Sequence, residues 1–263
     1  KDLHHPKCTR KIPCVNFCDL TWLPDSTGFY YTRMPIPGAV PAGDEYYYQR
    51  VYFHKIGENY KNDQVIFGEG REKEDEFGIE LSADGRFLSV TAYKGWVRTD
   101  IYLFDRQENK WTTIVENIEA IFKATMHRGF IYILADYKSP NYKVCVVSIK
   151  DSGKGINHWE TIIKEKKYPI QEIHLISDYL FILTLENAVS RLKIFTLEGR
   201  FLRDIKSSDK TFNLSSISSL GFEEEGDELF FSSQSFFNSV IIYRVKIPKF
   251  SISIWEKISF PIK

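Results

Sequence analysis

Ser177-Asp-Tyr-Leu-Phe-Ile-Leu183 is a tight aspartate turn running straight into a short apolar stretch, and the chain repeats this arrangement. Its other copies are Pro24-Asp-Ser-Thr-Gly-Phe-Tyr-Tyr31, Ala83-Asp-Gly-Arg-Phe-Leu88, Arg128-Gly-Phe-Ile-Tyr-Ile-Leu134 and Gly226-Asp-Glu-Leu-Phe-Phe231. With Phe29, Phe87, Phe130, Leu180 and Leu229 taken as equivalent, successive copies lie 58, 43, 50 and 49 residues apart. A second family of stretches follows the first: Val51–Lys55, Ile101–Asp105, Val144–Lys150, Leu192–Thr196 and Ile241–Lys246. Their last residues are separated by 50, 45, 46 and 50 residues. Two anchors chosen independently stay in phase, and chance is a poor explanation of that.

A third stretch closes most units: Gln64–Phe67, Trp111–Val115, Trp159–Ile163, Phe201–Ile205 and Trp255–Ile258. The tryptophan at the head of three of these reads as a blade-edge anchor that packs on its neighbour. A fourth stretch opens each unit: Phe17–Trp22, Ile79–Ser82, Ile121–Thr125, Ile173–Ile176 and Ile217–Phe222. Four strands per ~45–50 residues is the signature of a propeller blade. A β-sandwich would space its strands at ~8–12 residues with no longer period. The fold class is therefore all-β: a β-propeller of five four-stranded antiparallel blades, read as one domain over 1–263. The blades fall at about 14–70, 77–117, 119–166, 170–207 and 215–260, each set by the period of roughly fifty.

Helical patterning is nearly absent. The charge run Arg71-Glu-Lys-Glu-Asp-Glu76 has no apolar stripe and reads as a solvated loop. Lys164–Lys167 reads as a basic patch on a blade edge. The breaker-rich tract Pro35–Asp44 is a long loop, and it accounts for the widest interval.

The charge balance excludes some functions. Thirty-five basic and 35 acidic side chains cancel, which is not the basic composition of a dedicated nucleic-acid binder. No apolar run approaches the ~20 residues that span a bilayer, and no apolar segment follows Lys1-Asp-Leu-His-His-Pro6. The expectation is a soluble, cytoplasmic chain with neither a nucleic-acid nor a membrane partner. Aromatic residues make up 15% of the sequence, with 20 Phe, 15 Tyr and 5 Trp, and pleated strands favour them.

Motifs that carry chemistry are scarce. Cys8, Cys14 and Cys18 lie near His4 and His5, the residue types that bind zinc. Their spacing is not the paired C-x2-C pattern, and Cys14 and Cys18 read as two points on one strand ~13 Å apart. No metal or cofactor is expected. The chain contains no G-x-S-x-G nucleophile turn, P-loop, H-E-x-x-H or dinucleotide fingerprint. His54, His127, His158 and His174 stand in structural contexts, in or beside strands and turns. Paired carboxylates could serve a glycosidase, and Asp19, Glu80 and Glu172 head their units where such acids would sit. Three acids from different blades are also what a polar lining looks like.

Several stretches resemble the propeller domain of the prolyl oligopeptidase family. They are Phe17-Cys-Asp-Leu-Thr-Trp-Leu-Pro-Asp25 with Gly28–Pro35, Val51–Gly57, Glu80-Leu-Ser-Ala-Asp-Gly-Arg-Phe-Leu88, Ser139-Pro-Asn-Tyr142, Lys193–Gly199 and Glu228–Phe236. These stretches keep the family's order and cover nearly the whole chain. The Ser-Pro-Asn-Tyr tetrapeptide and the Ser233-Gln-Ser-Phe236 ending are the more specific of them. The resemblance implies a non-catalytic, substrate-gating part of a serine peptidase that cleaves short peptides after proline. In that family a seven-bladed propeller covers an α/β-hydrolase catalytic domain. These residues correspond to its last five blades, without the family's Gly-Gly-Ser-Asn-Gly-Gly turn. No catalytic residue is therefore expected here. Two positions carry over as substrate-facing: Phe17, which matches an aromatic of the family's peptide site, and Phe104, which stands where the family has a cysteine.

A reading from another class competes with this one. A stand-alone five-bladed propeller would act as an interaction scaffold through the Pro35–Asp44 tract and the turns at the blade ends.

Overall fold

The structure, a computed structural model, describes residues 11–206, 212, 215–236 and 238–257. The turn-plus-apolar-run repeats become the second strand of each of five four-stranded antiparallel sheets. The first sheet holds β1 (Leu20–Trp22), β2 (Gly28–Arg33), β3 (Arg50–Lys55) and β4 (Gln64–Phe67). The second holds β5 (Glu76–Leu81), β6 (Phe87–Lys94), β7 (Arg98–Asp105) and β8 (Lys110–Val115). Next come β9 (Phe122–His127), β10 (Phe130–Ala135), β11 (Lys143–Ser148) and β12 (Glu160–Ile163). The fourth sheet is β13 (Ile170–Ile176), β14 (Tyr179–Glu186), β15 (Val189–Thr196) and β16 (Phe201–Asp204). The last is β17 (Ser216–Phe222), β18 (Glu228–Ser235), β19 (Asn238–Lys246) and β20 (Ser251–Lys257). In every sheet the strands lie in sequence order, so each strand pairs with the next one along the chain. Five blades of four antiparallel strands is the expected architecture.

Two compact units divide the chain: residues up to 131 with 147–159, and residues 132–146 with those from 160 onward. The physical basis of each is clearest in β14. Leu180, Phe181, Ile182 and Leu183 are consecutive and all buried. Because side chains alternate across a strand, such a run buries both faces of its sheet. Leu180 and Ile182 join a cluster with Tyr132, Leu134, Val144, Ile163 and Ile170. Phe181 and Leu183 join another with Ile217, Leu229, Phe231 and Tyr243. At ~1.5–3 kcal/mol for each large apolar side chain buried, these faces dominate the stability of the second unit. In the first unit the corresponding cluster joins Leu23, Tyr30 and Val51 to Phe77, Ile79, Leu88 and Val90.

The edge tryptophans divide. Trp111 stacks on Phe104 of its own sheet and on Phe67 of the sheet before, both at 4.9 Å between ring centroids. Trp159 meets Phe122 edge-on at 5.7 Å. Trp159 and Trp255 thus both pack within their own sheets, Trp255 against Phe230 and Arg244 while half exposed, so only Trp111 anchors on a neighbour as expected. Short 3-10 turns at Ile149–Lys154 and Ile156–His158 separate β11 from β12, an insertion that the strand pattern did not signal.

The opening strand of the first sheet is shorter than expected. It begins at Leu20, not Phe17, and the segment before it is a turn. Cys14 and Phe17 both have positive φ, 59° and 56°, so neither lies on a strand, and Cys14 and Cys18 do not share a strand face. Side-chain hydrogen bonds explain the late start. The Asp19 backbone N–H donates to the Thr32 hydroxyl at 2.8 Å, which displaces the ladder partner that would have extended β1.

One glycine marks how closely the fourth sheet meets its neighbour. Gly199 sits at φ 84°, and a Cβ there would run into the Ile162 carbonyl oxygen. Gly95, at φ 61° in the β6–β7 turn, has open space around it. Gly199→Ala should therefore cost about 2–4 kcal/mol in urea unfolding, and Gly95→Ala about 1 kcal/mol, the difference being the steric clash.

Candidate functional site

The approach to β1 is held by a lattice of side-chain-to-backbone bonds. Gln49 is buried, and its Nε2 donates to the Phe17 carbonyl at 3.3 Å while its Oε1 accepts the Phe77 N–H at 2.6 Å. Asp19 accepts the Leu20 N–H on one oxygen at 3.0 Å and the Ile79 N–H on the other at 2.8 Å. This lattice fixes the backbone at Phe17 and leaves its ring 89% exposed, beside the starting edge of β5.

The same strand end gathers other exposed apolar groups. Glu76, the first residue of β5, pairs with Tyr93 near the end of β6, so the β6–β7 turn lies at this end. Trp96 and Val97 in that turn are 97% and 71% exposed. Tyr46, in the loop between β2 and β3, is 71% exposed. Lys73 ties that loop down: its ammonium is 2.9 Å from Asp44 and 4.9 Å from the centroid of the Tyr47 ring. Lys94 in turn pairs with Asp75 at 3.0 Å. Phe17, Trp96 and Tyr46 thus project from a strand end whose backbone is braced but whose aromatics are open.

Phe104 is not part of this group. It pairs with Leu88 and Trp111 near the far end of β7, and its ring packs against the first unit's core. Leu88 and Tyr93 are five steps apart along β6, or about 17 Å along the sheet. The structure therefore places Phe17 on an open surface and Phe104 in blade packing, at opposite ends of the strands. Trp96 and Tyr46 went unnoticed in the sequence, although a tryptophan between Gly95 and Val97 in a hairpin turn has little to pack against.

The three carboxylates that suggested glycosidase chemistry are otherwise engaged. Asp19 is committed to Leu20 and Ile79. Glu80 accepts the Met126 N–H at 3.1 Å. Glu172 lies 3.0 Å from His174 on its own strand. Asp19 and Glu80 play one role in consecutive sheets, each accepting a backbone N–H from the opening strand of the next. That is a clasp, not an acid–base pair.

His54 and Asp63 form a structural stitch. The imidazole Nδ1 lies 2.9 Å from Asp63, and the Tyr31 hydroxyl donates to the same carboxylate at 2.8 Å. Burial, helped by the Asp63 hydrogen bond, raises the Tyr31 pKa far above its ordinary value, so its proton stays in place. Cys14, Cys18 and Cys145 are free thiols, and burial raises the Cys18 pKa. Cys8, His4 and His5 lie outside the described residues.

The charge run after β4 is solvated only in part: Glu72, Glu74 and Glu76 are exposed, but Asp75 is buried and Arg71 folds inward. Arg71 binds Asp75 at 2.6 Å and Asp100 at 3.3 Å, and its NH1 group donates to the Tyr102 hydroxyl at 2.7 Å. Asp100 is fully buried and also takes Arg98 at 3.1 Å and the Asn117 N–H at 3.0 Å. Tyr102 donates to Glu116; burial first, then that carboxylate, raises its pKa well above the usual phenol range. An alternating charge run carries no apolar stripe in either case, so its pattern could not separate a solvated loop from one folded onto a buried acid.

Residues 3–257 match the family model described as prolyl oligopeptidase, N-terminal beta-propeller domain. The chain belongs to the prolyl oligopeptidase family. Its matched part is that family's propeller. The chain is 23% identical over 249 residues to the prolyl endopeptidase of Elizabethkingia meningoseptica, covering 92% of this chain and 34% of that protein. It is 25% identical over 213 residues to prolyl oligopeptidase A of Amanita bisporigera, covering 74% and 28%. The chain thus spans about a third of the length of these relatives. A solved prolyl endopeptidase structure superposes with a TM-score of 0.85 at 22% identity, over 94% of this chain and 36% of that one. Prolyl oligopeptidase B from Galerina marginata, bound to a 35mer hydrolysis and macrocyclization substrate, gives 0.78 at 18% identity, over 92% and 34%. At these identities the structures show the shared fold.

Two measurements test the ion pairs of the second sheet. Asp100→Ala strands two arginines beside a buried gap and should cost about 3–5 kcal/mol in chemical unfolding. A second test uses Asp105, whose carboxyl is held below its ordinary value of 3.8 by the Arg86 hydrogen bond at 2.7 Å. A lowered carboxyl pKa contributes stability above the ordinary value, and that stability is lost as pH falls through the lowered one. Arg86→Met should therefore be less stable than the parent at pH 7, with the gap closing in melts toward pH ~2.

Proposed function

We propose that this propeller gates the active site of a prolyl-oligopeptidase-type serine peptidase. Its partner would be an α/β-hydrolase catalytic domain outside these 263 residues, and its substrates short proline-containing peptides. The chemistry of peptide cleavage then belongs to the hydrolase domain, and the propeller contributes size selection and part of the peptide-contacting surface. The observation that carries this reading is the braced strand end with an open Phe17 ring, in a chain that belongs to the family's propeller domain. An aromatic face held on a rigid backbone loses little entropy on binding, so it suits contact with an extended peptide. The committed carboxylates support the division of labour, because Asp19 and Glu80 serve the fold. The neutral composition suits a cover over a peptide site better than an electrostatic binder.

The test has two arms. The isolated chain should release no product from a Gly-Pro chromogenic peptide, and sustained turnover by it would refute the reading. Joined to the α/β-hydrolase domain of a prolyl oligopeptidase, the chain should support cleavage of short peptides. In that enzyme Phe17→Ala should raise KM about three- to tenfold for a peptide long enough to reach the propeller, with kcat little changed. A dipeptide-sized substrate should not register the substitution. Equal kinetics for the variant on both substrates would remove Phe17 from the peptide-contacting surface.

A further inference from the structure

Lys164, Lys166 and Lys167, in the connection between β12 and β13, border a cavity of about 340 Å³ within the second unit. Its apolar wall is made by Ile163 and Ile170, by Ile182 and Phe195 on one face of the fourth sheet, and by Phe201 at that sheet's edge. Phe195 and Phe201 meet edge-to-face at 5.4 Å, so the wall continues from the buried core to the surface. The volume lies in the range of small-molecule sites, which are mostly apolar with a few placed polar groups.

The charges inside and around the cavity are of two kinds. Lys193, Glu186 and Asp204 are mutually satisfied: the Lys193 ammonium is 2.6 Å from Glu186 and 3.8 Å from Asp204. Burial would raise the Glu186 pKa, but the Lys193 hydrogen bond and charge outweigh it and hold the carboxyl below its ordinary value. By contrast, no carboxylate among the described residues pairs with Lys164, Lys166 or Lys167. Glu165, between them, accepts the Asn141 N–H at 2.7 Å. The mouth therefore carries a local excess of positive charge above an apolar wall.

The lysine-bearing connection is also held in shape, by the Asn of the Ser139-Pro-Asn-Tyr142 tetrapeptide. Asn141 Nδ2 donates to the Lys166 carbonyl at 3.1 Å and the Lys167 carbonyl at 3.4 Å. Its own carbonyl accepts the Ile170 N–H at 3.0 Å. One residue thus clasps the connection along its length, which lowers the ordering cost of binding at its rim.

We infer that this cavity binds a small amphipathic carboxylate, its apolar body against Ile182, Phe195 and Phe201 and its carboxylate among Lys164, Lys166 and Lys167. The site is separate from the aromatic strand end and does not depend on the peptidase reading. Calorimetric titration of the full chain with 4-phenylbutyrate, 4-phenylbutanol and acetate tests it. The expected result is saturable binding of 4-phenylbutyrate at least about tenfold tighter than of the alcohol, with acetate bound weakly. The variant carrying Lys164→Gln, Lys166→Gln and Lys167→Gln should lose about tenfold in affinity for the acid and little for the alcohol. Added salt should weaken the acid alone. Asn141→Ala should weaken the acid while leaving the alcohol's affinity within about twofold, because it loosens the rim and spares the wall. The lysines are exposed, so the triple variant should keep the parent's melting temperature. No saturable binding of 4-phenylbutyrate up to about 10 mM would overturn the proposal. So would equal affinity for acid and alcohol, or an unchanged affinity in a folded triple-lysine variant.

Discussion

Burial of both faces of each sheet is the constraint on which the rest of the structure depends. A four-stranded sheet that is apolar on one side can lie on a layer of helices, or pair once with another sheet. β14 leaves neither option, because Leu180, Phe181, Ile182 and Leu183 put large apolar groups on alternate sides without a break. The two faces join two separate clusters, one with the strands before it and one with the strands after. A unit that needs a neighbour on each side must be repeated, and that is why the sequence carries a period of roughly fifty residues.

Apolar packing alone does not set how one sheet is aligned with the next, since dispersion contacts are not directional. Polar side chains on or flanking the opening strands provide that alignment. Asp19 takes the Ile79 N–H, Glu80 takes the Met126 N–H, and Ser177 donates its hydroxyl to the Gly226 carbonyl. Each joins one sheet to the backbone of the sheet that follows. At the first of these junctions a buried ion network adds to the clasp, with Arg71 in the connection held by Asp75 and by Asp100 of the second sheet. The same devices shape the two surfaces of interest. Gln49 fixes the backbone at Phe17, and Asn141 holds the backbone of Lys166 and Lys167 at a cavity rim.

Much of the architecture was legible from residue types. Five turn-plus-run repeats, their phase, and the closing strands all appear in the sheets, because a strand buried on both faces leaves a continuous apolar run between turns. The boundaries were less so. β1 starts three residues later than its apolar pattern suggests, because a Thr32 hydroxyl takes the backbone donor that would have extended the ladder. Of the two candidate contact residues, Phe17 is exposed and Phe104 is stacked on Trp111, and residue type distinguishes them poorly. The charge run at Arg71 and the carboxylates at Asp19 and Glu80 misled for a common reason. Whether a charge is solvated or buried depends on what packs over it, and those partners lie up to 60 residues away.

By itself the sequence determined the class of fold and the number of blades, because these follow from the spacing of turns and apolar runs along the chain, and its motif stretches carried the likeness to the family. Only the tertiary structure decided which polar groups are spent on holding sheets together and which remain open. That choice rests on through-space partners: a carboxylate that has captured a distant backbone N–H is structural, and an aromatic or ammonium that has captured nothing is free to bind. Local sequence fixes what each residue can offer. Packing decides what has already been taken.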